Sequence, residues 1–127
     1  MRKEIENKDD IVLLVDTFYG KVRQDELLSP IFNEVIKNNW PQHLAKMYRF
    51  WGSVLLSEKS YRGNPFMPHS VLPIEKNHFD RWLKLFHQTL SENFVGRISE
   101  EAIWRSGKMA EMFQMNLEYL RNTEKNY

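Results

Sequence analysis

Ile11, Leu14, Val15, Phe18 and Val22 recur at steps of three and four, the spacing that gathers side chains on one face of an α-helix. Asp9 and Asp10 stand just before this stripe, and either can accept hydrogen bonds from a helix's first amides. Tyr19 falls about 40–60° off the stripe's centre at 100° per residue, at the margin of the buried face. The pattern then breaks between Asp25 and Phe32, where Ser29-Pro30 disfavours a helix running through Ser29. A short corner is predicted there, sending Ile31 and Phe32 into whatever lies beneath. Trp40-Pro41 restarts the helical pattern, with proline suited to a first-turn position whose donor has no intrahelical partner. This second long helix is predicted to run to about Ser57. On it His43, Met47, Phe50 and Val54 share one face, which Leu44, Tyr48, Trp51 and Leu55 widen, so His43 points inward.

Ser60 to Lys76 holds Gly63, Pro65, Pro68 and Pro73, which excludes a long regular element but allows one helical turn around Pro68-His69. Asn77 is placed as the cap of the next helix, with Asp80 at its third position and Phe79, Leu83, Phe86 and Leu90 as the core stripe. Trp82 flanks that stripe. His78 and His87 lie about 100° and 80° to either side of the Phe79 direction and are predicted to meet solvent. Gly96 stops this helix, Ser99 caps the last one, Glu100-Glu101 complement its dipole, and Ile98 with Ile103 can form a hydrophobic staple. Gly107, Ala110, Phe113 and Leu117 continue the inward face. No alternating run or hairpin dipeptide indicates a strand. The fold class is all-α: four main helices and one irregular segment in a single domain over residues 1–127, with fraying expected at 1–8 and 122–127.

Composition narrows the function classes. A chain of 127 residues can bury a core without staples. Its 18 basic and 17 acidic side chains leave a formal charge of +1, so the overall charge favours neither nucleic acid nor an anionic membrane. The charged N-terminus lacks the apolar centre of a signal peptide, and no window approaches the length of a membrane span, so a cytoplasmic location is expected. Aromatic residues make up 13% of the chain and concentrate in its middle, as suits either a dense core or the walls of a pocket for a flat ligand. The absence of cysteine excludes disulfides, thiolate metal sites and covalent haem attachment through Cys-x-x-Cys-His.

Among residues that could carry chemistry, His69 stands out. An imidazole held in a proline-restrained segment beside apolar helices suits an axial ligand of a cofactor metal such as haem iron, although by position alone a loop histidine that caps a helix is the commoner case. Tyr19 and Trp82 offer hydroxyl and indole donors, or are simply amphipathic aromatics at a core margin.

The ordered set Phe18-Tyr19, Ser29-Pro30-Ile31-Phe32, Trp40-x-x-His43, Phe50-Trp51, Tyr61-x-Gly63-x-Pro65, His69 with Leu72-Pro73, and Arg81 to Phe86 resembles the group III truncated globins over nearly the whole chain. The glycine motifs at helix junctions that generally mark the other two groups are not seen. The resemblance implies a two-over-two helical sandwich around a haem pocket, with non-covalent haem b and His69 as proximal iron ligand. It assigns Tyr19, His43 and Trp82 to the distal side, Phe32 and Met47 to the haem cavity, and Trp51 to a bulky aromatic packed farther inside.

That resemblance implies binding of oxygen and other diatomic ligands. A hydrogen-bond donor beside such a ligand favours oxygen over carbon monoxide, because oxygen accumulates more negative charge. Tyr19 and Trp82 can donate in this way. His43 has three open tasks: donating, swinging outward to admit the ligand, or ligating iron itself. Lys46, Tyr61 and Arg62 are available for the haem propionates. Nitric oxide dioxygenase or peroxidase-like chemistry would need an external reductase, since no Gly-x-Gly-x-x-Gly loop follows a strand. The competing readings are a haem-free helical protein-interaction module and a haem-based gas sensor acting through a partner.

Overall fold

The computed structural model describes residues 2–56 and 75–125, without the side chains of Leu117 and residues 119–125. Five helices occupy the described residues: α1 (Lys8–Gln24), α2 (Ser29–Ile36), α3 (Trp40–Leu55), α4 (Lys76–Asn93) and α5 (Arg97–Lys125). The Ser60 to Lys76 unit, His69 included, falls almost wholly outside the described residues.

The stripe on α1 is buried as its spacing requires: Ile11, Leu14, Val15, Phe18 and Val22 are inaccessible to solvent or nearly so. The helix starts earlier than the aspartates suggest. Asn7 is the N-cap, its Oδ1 accepting from the Asp10 amide at 3.2 Å, while Asp10 reaches back to the Glu6 and Asn7 amides at 2.9 and 3.3 Å. Asp10 thus closes a capping box from inside the first turn.

The chain start also departs from expectation. Residues 1–8 are expected to fray, yet the Lys3 amide donates to the Asn93 carbonyl and the Val95 amide donates to the Lys3 carbonyl, at 3.3 and 2.9 Å. Ile5 is buried beside them, so a backbone bridge and an apolar anchor fix residues 3–5. At the other end α5 continues to Lys125, past the point where a polar tail is expected to leave it.

The predicted corner is a two-turn helix. Ser29 and Pro30 occupy the first turn of α2, where a missing donor costs nothing, and the reading that Pro30 only interrupts is corrected. The corner proper is Asp25, whose carboxylate accepts from the Leu27 and Leu28 amides at 3.1 and 3.0 Å. Trp40 opens α3 with Pro41 behind it, and its indole donates to Asn33 on α2 at 3.2 Å.

Both later helices start before their predicted caps. Glu75, not Asn77, caps α4, and His78 rather than Asp80 is the third residue; its Nδ1 accepts from the Glu75 amide at 2.9 Å. Ser99 sits inside α5, which begins at Arg97 directly after Gly96. Gly96 has φ +101°, a conformation that residues with a Cβ rarely adopt, so the backbone calls for glycine there, while the exposed Glu4 side chain beside it is free to shift.

α1 packs on both α3 and α4, α4 on α5, and α3 touches α5. This is a two-over-two helical sandwich, with Phe18 and Phe86 fully buried where the layers meet.

Candidate functional site

Between the layers lies an apolar cavity, and every helix contributes to its wall. Tyr19 comes from α1, Phe32 from α2, Met47, Phe50 and Trp51 from α3, His78, Phe79 and Trp82 from α4, and Met109, Ala110 and Phe113 from α5. The wall is almost wholly apolar. Its hydrogen-bonding capacity is confined to the Tyr19 hydroxyl, the His78 imidazole and the indoles of Trp51 and Trp82.

Ring packing sets where these groups stand. Phe18 meets Tyr19, Trp82 and Phe86 edge-on, at centroid distances of 4.9, 5.2 and 5.1 Å. Trp82 is stacked on Phe86 at 5.4 Å with only 5° between the planes, and Trp51 stacks on the same ring at 4.9 Å. One phenylalanine pair therefore carries both indoles and the phenol of the cavity wall.

Tyr19 is only 3% exposed, and burial pushes its phenol above the ordinary tyrosine range. It therefore stays protonated at any physiological pH and keeps its donor. Trp82, half-buried, can only donate. Both can donate to an occupant that carries or acquires negative charge.

His43 stands behind this wall instead of in it. Its ring lies perpendicular to Tyr19 at 5.0 Å and to Trp40 at 5.7 Å, and its Nε2 is withdrawn from solvent. Arg23 covers the Trp40 ring at 4.7 Å, sealing that edge of the cluster.

The chain's similarities agree with this architecture. A model of the family described as "Bacterial-like globin" matches residues 3–117. The chain is also 36% identical over 118 residues to a group 3 truncated hemoglobin of Campylobacter jejuni, covering 90% of this chain and 93% of that one. It belongs to the bacterial-like globins, as a group III truncated globin. The crystal structure of the group III truncated hemoglobin from Campylobacter jejuni superposes on this globin with a TM-score of 0.84, at 36% identity, over 92% of this chain and 95% of the other.

Of the residues singled out in the globin's sequence, Tyr19, Trp82, Phe32 and Met47 come together around one cavity. Trp51 joins the wall while remaining 2% exposed. His43 is not part of the wall but packs edge-on against Tyr19, which is. His69, Tyr61 and Arg62 lie outside the described residues, and Lys46 is exposed. Sequence reasoning missed His78, which is half-buried and part of the wall. The signal was present: His78 is four residues before Trp82 and so shares its face, even though it lies well off the Phe79 direction. The solvent-facing expectation for His87 is also corrected, because its Nε2 is buried with no hydrogen-bond partner among the described residues. Burial lowers the pKa of His87 below the ordinary imidazole value.

Among the described residues, no group of three or more His, Cys, Asp or Glu side chains could hold a metal ion. No described helix is long and apolar enough to cross a membrane.

Proposed function

We propose that this globin holds b-type haem non-covalently in the inter-layer cavity and binds oxygen and other diatomic ligands there, with His69 as proximal ligand. The observation that carries the reading is the cavity itself. In a chain of the globin family, the space between the layers is walled by flat apolar rings and supplied with two permanently protonated donors, Tyr19 and Trp82. The donor set fits haem as well: a broad apolar face suits the macrocycle, and Tyr19 and Trp82 suit a small ligand that gains negative charge.

Haem would supply an iron with one open coordination position. The chain's own residues do the rest. Tyr19 donates from a dry hydroxyl, Trp82 from its indole, and both strengthen as donors where water is excluded. Their preference falls on oxygen over carbon monoxide, since the more charged ligand gains more from each donor. His43, packed edge-on behind Tyr19, positions that ring; of the tasks open to it, direct ligation suits this placement least. Nitric oxide or peroxide chemistry would draw electrons from a separate reductase, and a cytoplasmic setting suits such a partnership.

Absorption spectra of the purified globin in ferric, ferrous, oxygenated and carbonyl forms test the reading. A Soret band and a five-coordinate histidine signature, lost in His69→Ala, are the expected result. Colourless protein that takes up no added hemin would overturn it and leave a haem-free interaction module. A normal histidine signature surviving in His69→Ala would overturn the proximal assignment alone.

A further inference from the structure

His78 belongs to the cavity wall, yet neither the sequence pattern nor the distal set gives it a task. Its environment fixes its chemistry. The Glu75 amide donates to Nδ1 at 2.9 Å, so Nδ1 must be the unprotonated nitrogen, and the neutral ring carries its proton on Nε2. The α4 cap thereby selects a tautomer whose remaining polar atom is a donor. His78 is half-buried, unlike Tyr19 and Phe79 beside it, which places it where the apolar cavity meets solvent. A flat apolar cofactor with carboxylates on one edge would bring its charged edge to such a border, because burying a carboxylate among Phe32, Phe79 and Phe113 is unfavourable.

We infer that His78 is a cofactor-anchoring residue, its Nε2–H donating to a propionate of the haem. The inference rests on the haem reading above. The Glu75 amide acts indirectly by holding the imidazole in the donating tautomer, as outer partners do for metal-ligating histidines.

Two substitutions separate the roles. His78→Asn keeps a short acceptor for the Glu75 amide but cannot reach as far as Nε2, so the cap survives and the donor is lost. His78→Gln places an amide donor near the Nε2 position. The full-length globin, loaded with hemin or with hemin dimethyl ester, is mixed with an excess of an acceptor apo-globin, and cofactor loss is followed by absorbance. For the hemin-loaded protein, His78→Asn is expected to lose cofactor about ten-fold faster than wild type, with His78→Gln recovering much of the difference. For the ester-loaded protein, which lacks the carboxylate charge, wild type and His78→Asn are expected to release at the same rate. Equal release of hemin from wild type and His78→Asn would overturn the assignment. Equal acceleration with hemin and with its ester would also overturn it, showing a wall or cap residue only. Failure of the wild type to load hemin at all would remove the haem reading, and the assignment with it.

Discussion

Arg81 donates to Asp25 at 2.8 Å across 56 residues of sequence, pinning the helix that carries Trp82 to the corner between α1 and α2. The Asp25 side chain is buried and also accepts from two corner amides, whereas Arg81 is partly exposed. The partners are therefore unequal. Arg81→Ala should cost ~1 kcal/mol, since solvent screens a half-exposed pair. Asp25→Ala should cost ~2 kcal/mol or more, because the Leu27 and Leu28 amides lose their acceptor. Urea unfolding of both variants measures the difference, and equal losses would refute the asymmetry.

Acid sensitivity should trace to Asp10. Burial alone would raise its pKa, but hydrogen bonds from the Glu6 and Asn7 amides and the Lys3 ammonium at 3.1 Å outweigh it and hold the carboxyl below 3.8. A depressed carboxyl stabilises the fold above its unfolded value, and that contribution is lost as pH falls through the lower folded value. Stability should thus decline below about pH 4. Asp10→Asn should be less stable at pH 7 and show a shallower acid decline in thermal melts across pH 2–5.

Lys37 ends α2 at φ 53° and ψ −118°, a backbone conformation that side chains with a Cβ avoid. The residue is exposed, so glycine would give up little packing. Lys37→Gly should raise stability by ~1 kcal/mol in urea unfolding. No gain would mean that the lysine side chain stabilises the turn.

Tyr19→Phe and Trp82→Phe each remove one donor while leaving an aromatic ring in the wall. If the two donors hold oxygen as proposed, each variant should release it faster, by about ten-fold for a lost charge-assisted hydrogen bond. Stopped-flow displacement by carbon monoxide measures this directly. Unchanged oxygen release in both variants would refute the donor roles.

The sequence was most legible where a helix buries one clear face. The α1 stripe, the α3 face through Met47, Phe50 and Trp51, and the Phe79, Phe86 and Leu90 row all pack as their spacing predicts. Helix starts were less legible because several residues compete for each cap. Asn7 outranks Asp9 and Asp10 once Asp10 can turn back on it, and the Glu75–His78 pair takes the place expected for Asn77 and Asp80. The anchoring of residues 3–5 was invisible because it depends on backbone bonds to a segment 90 residues away. Tyr19 and Trp82 were legible as margins of their stripes, and the structure brings those margins to one cavity. His43 was read as inward-facing, and it is; that Tyr19 stands between it and the cavity required three dimensions.

Phe18 packs edge-to-face with both cavity donors. Tyr19 and Trp82 are therefore mechanically linked, although they come from helices on opposite sides of the sandwich. Enlarging or trimming residue 18 would retune both at once, so natural drift at this inaccessible, chemically silent position could alter gas discrimination without changing a single polar atom.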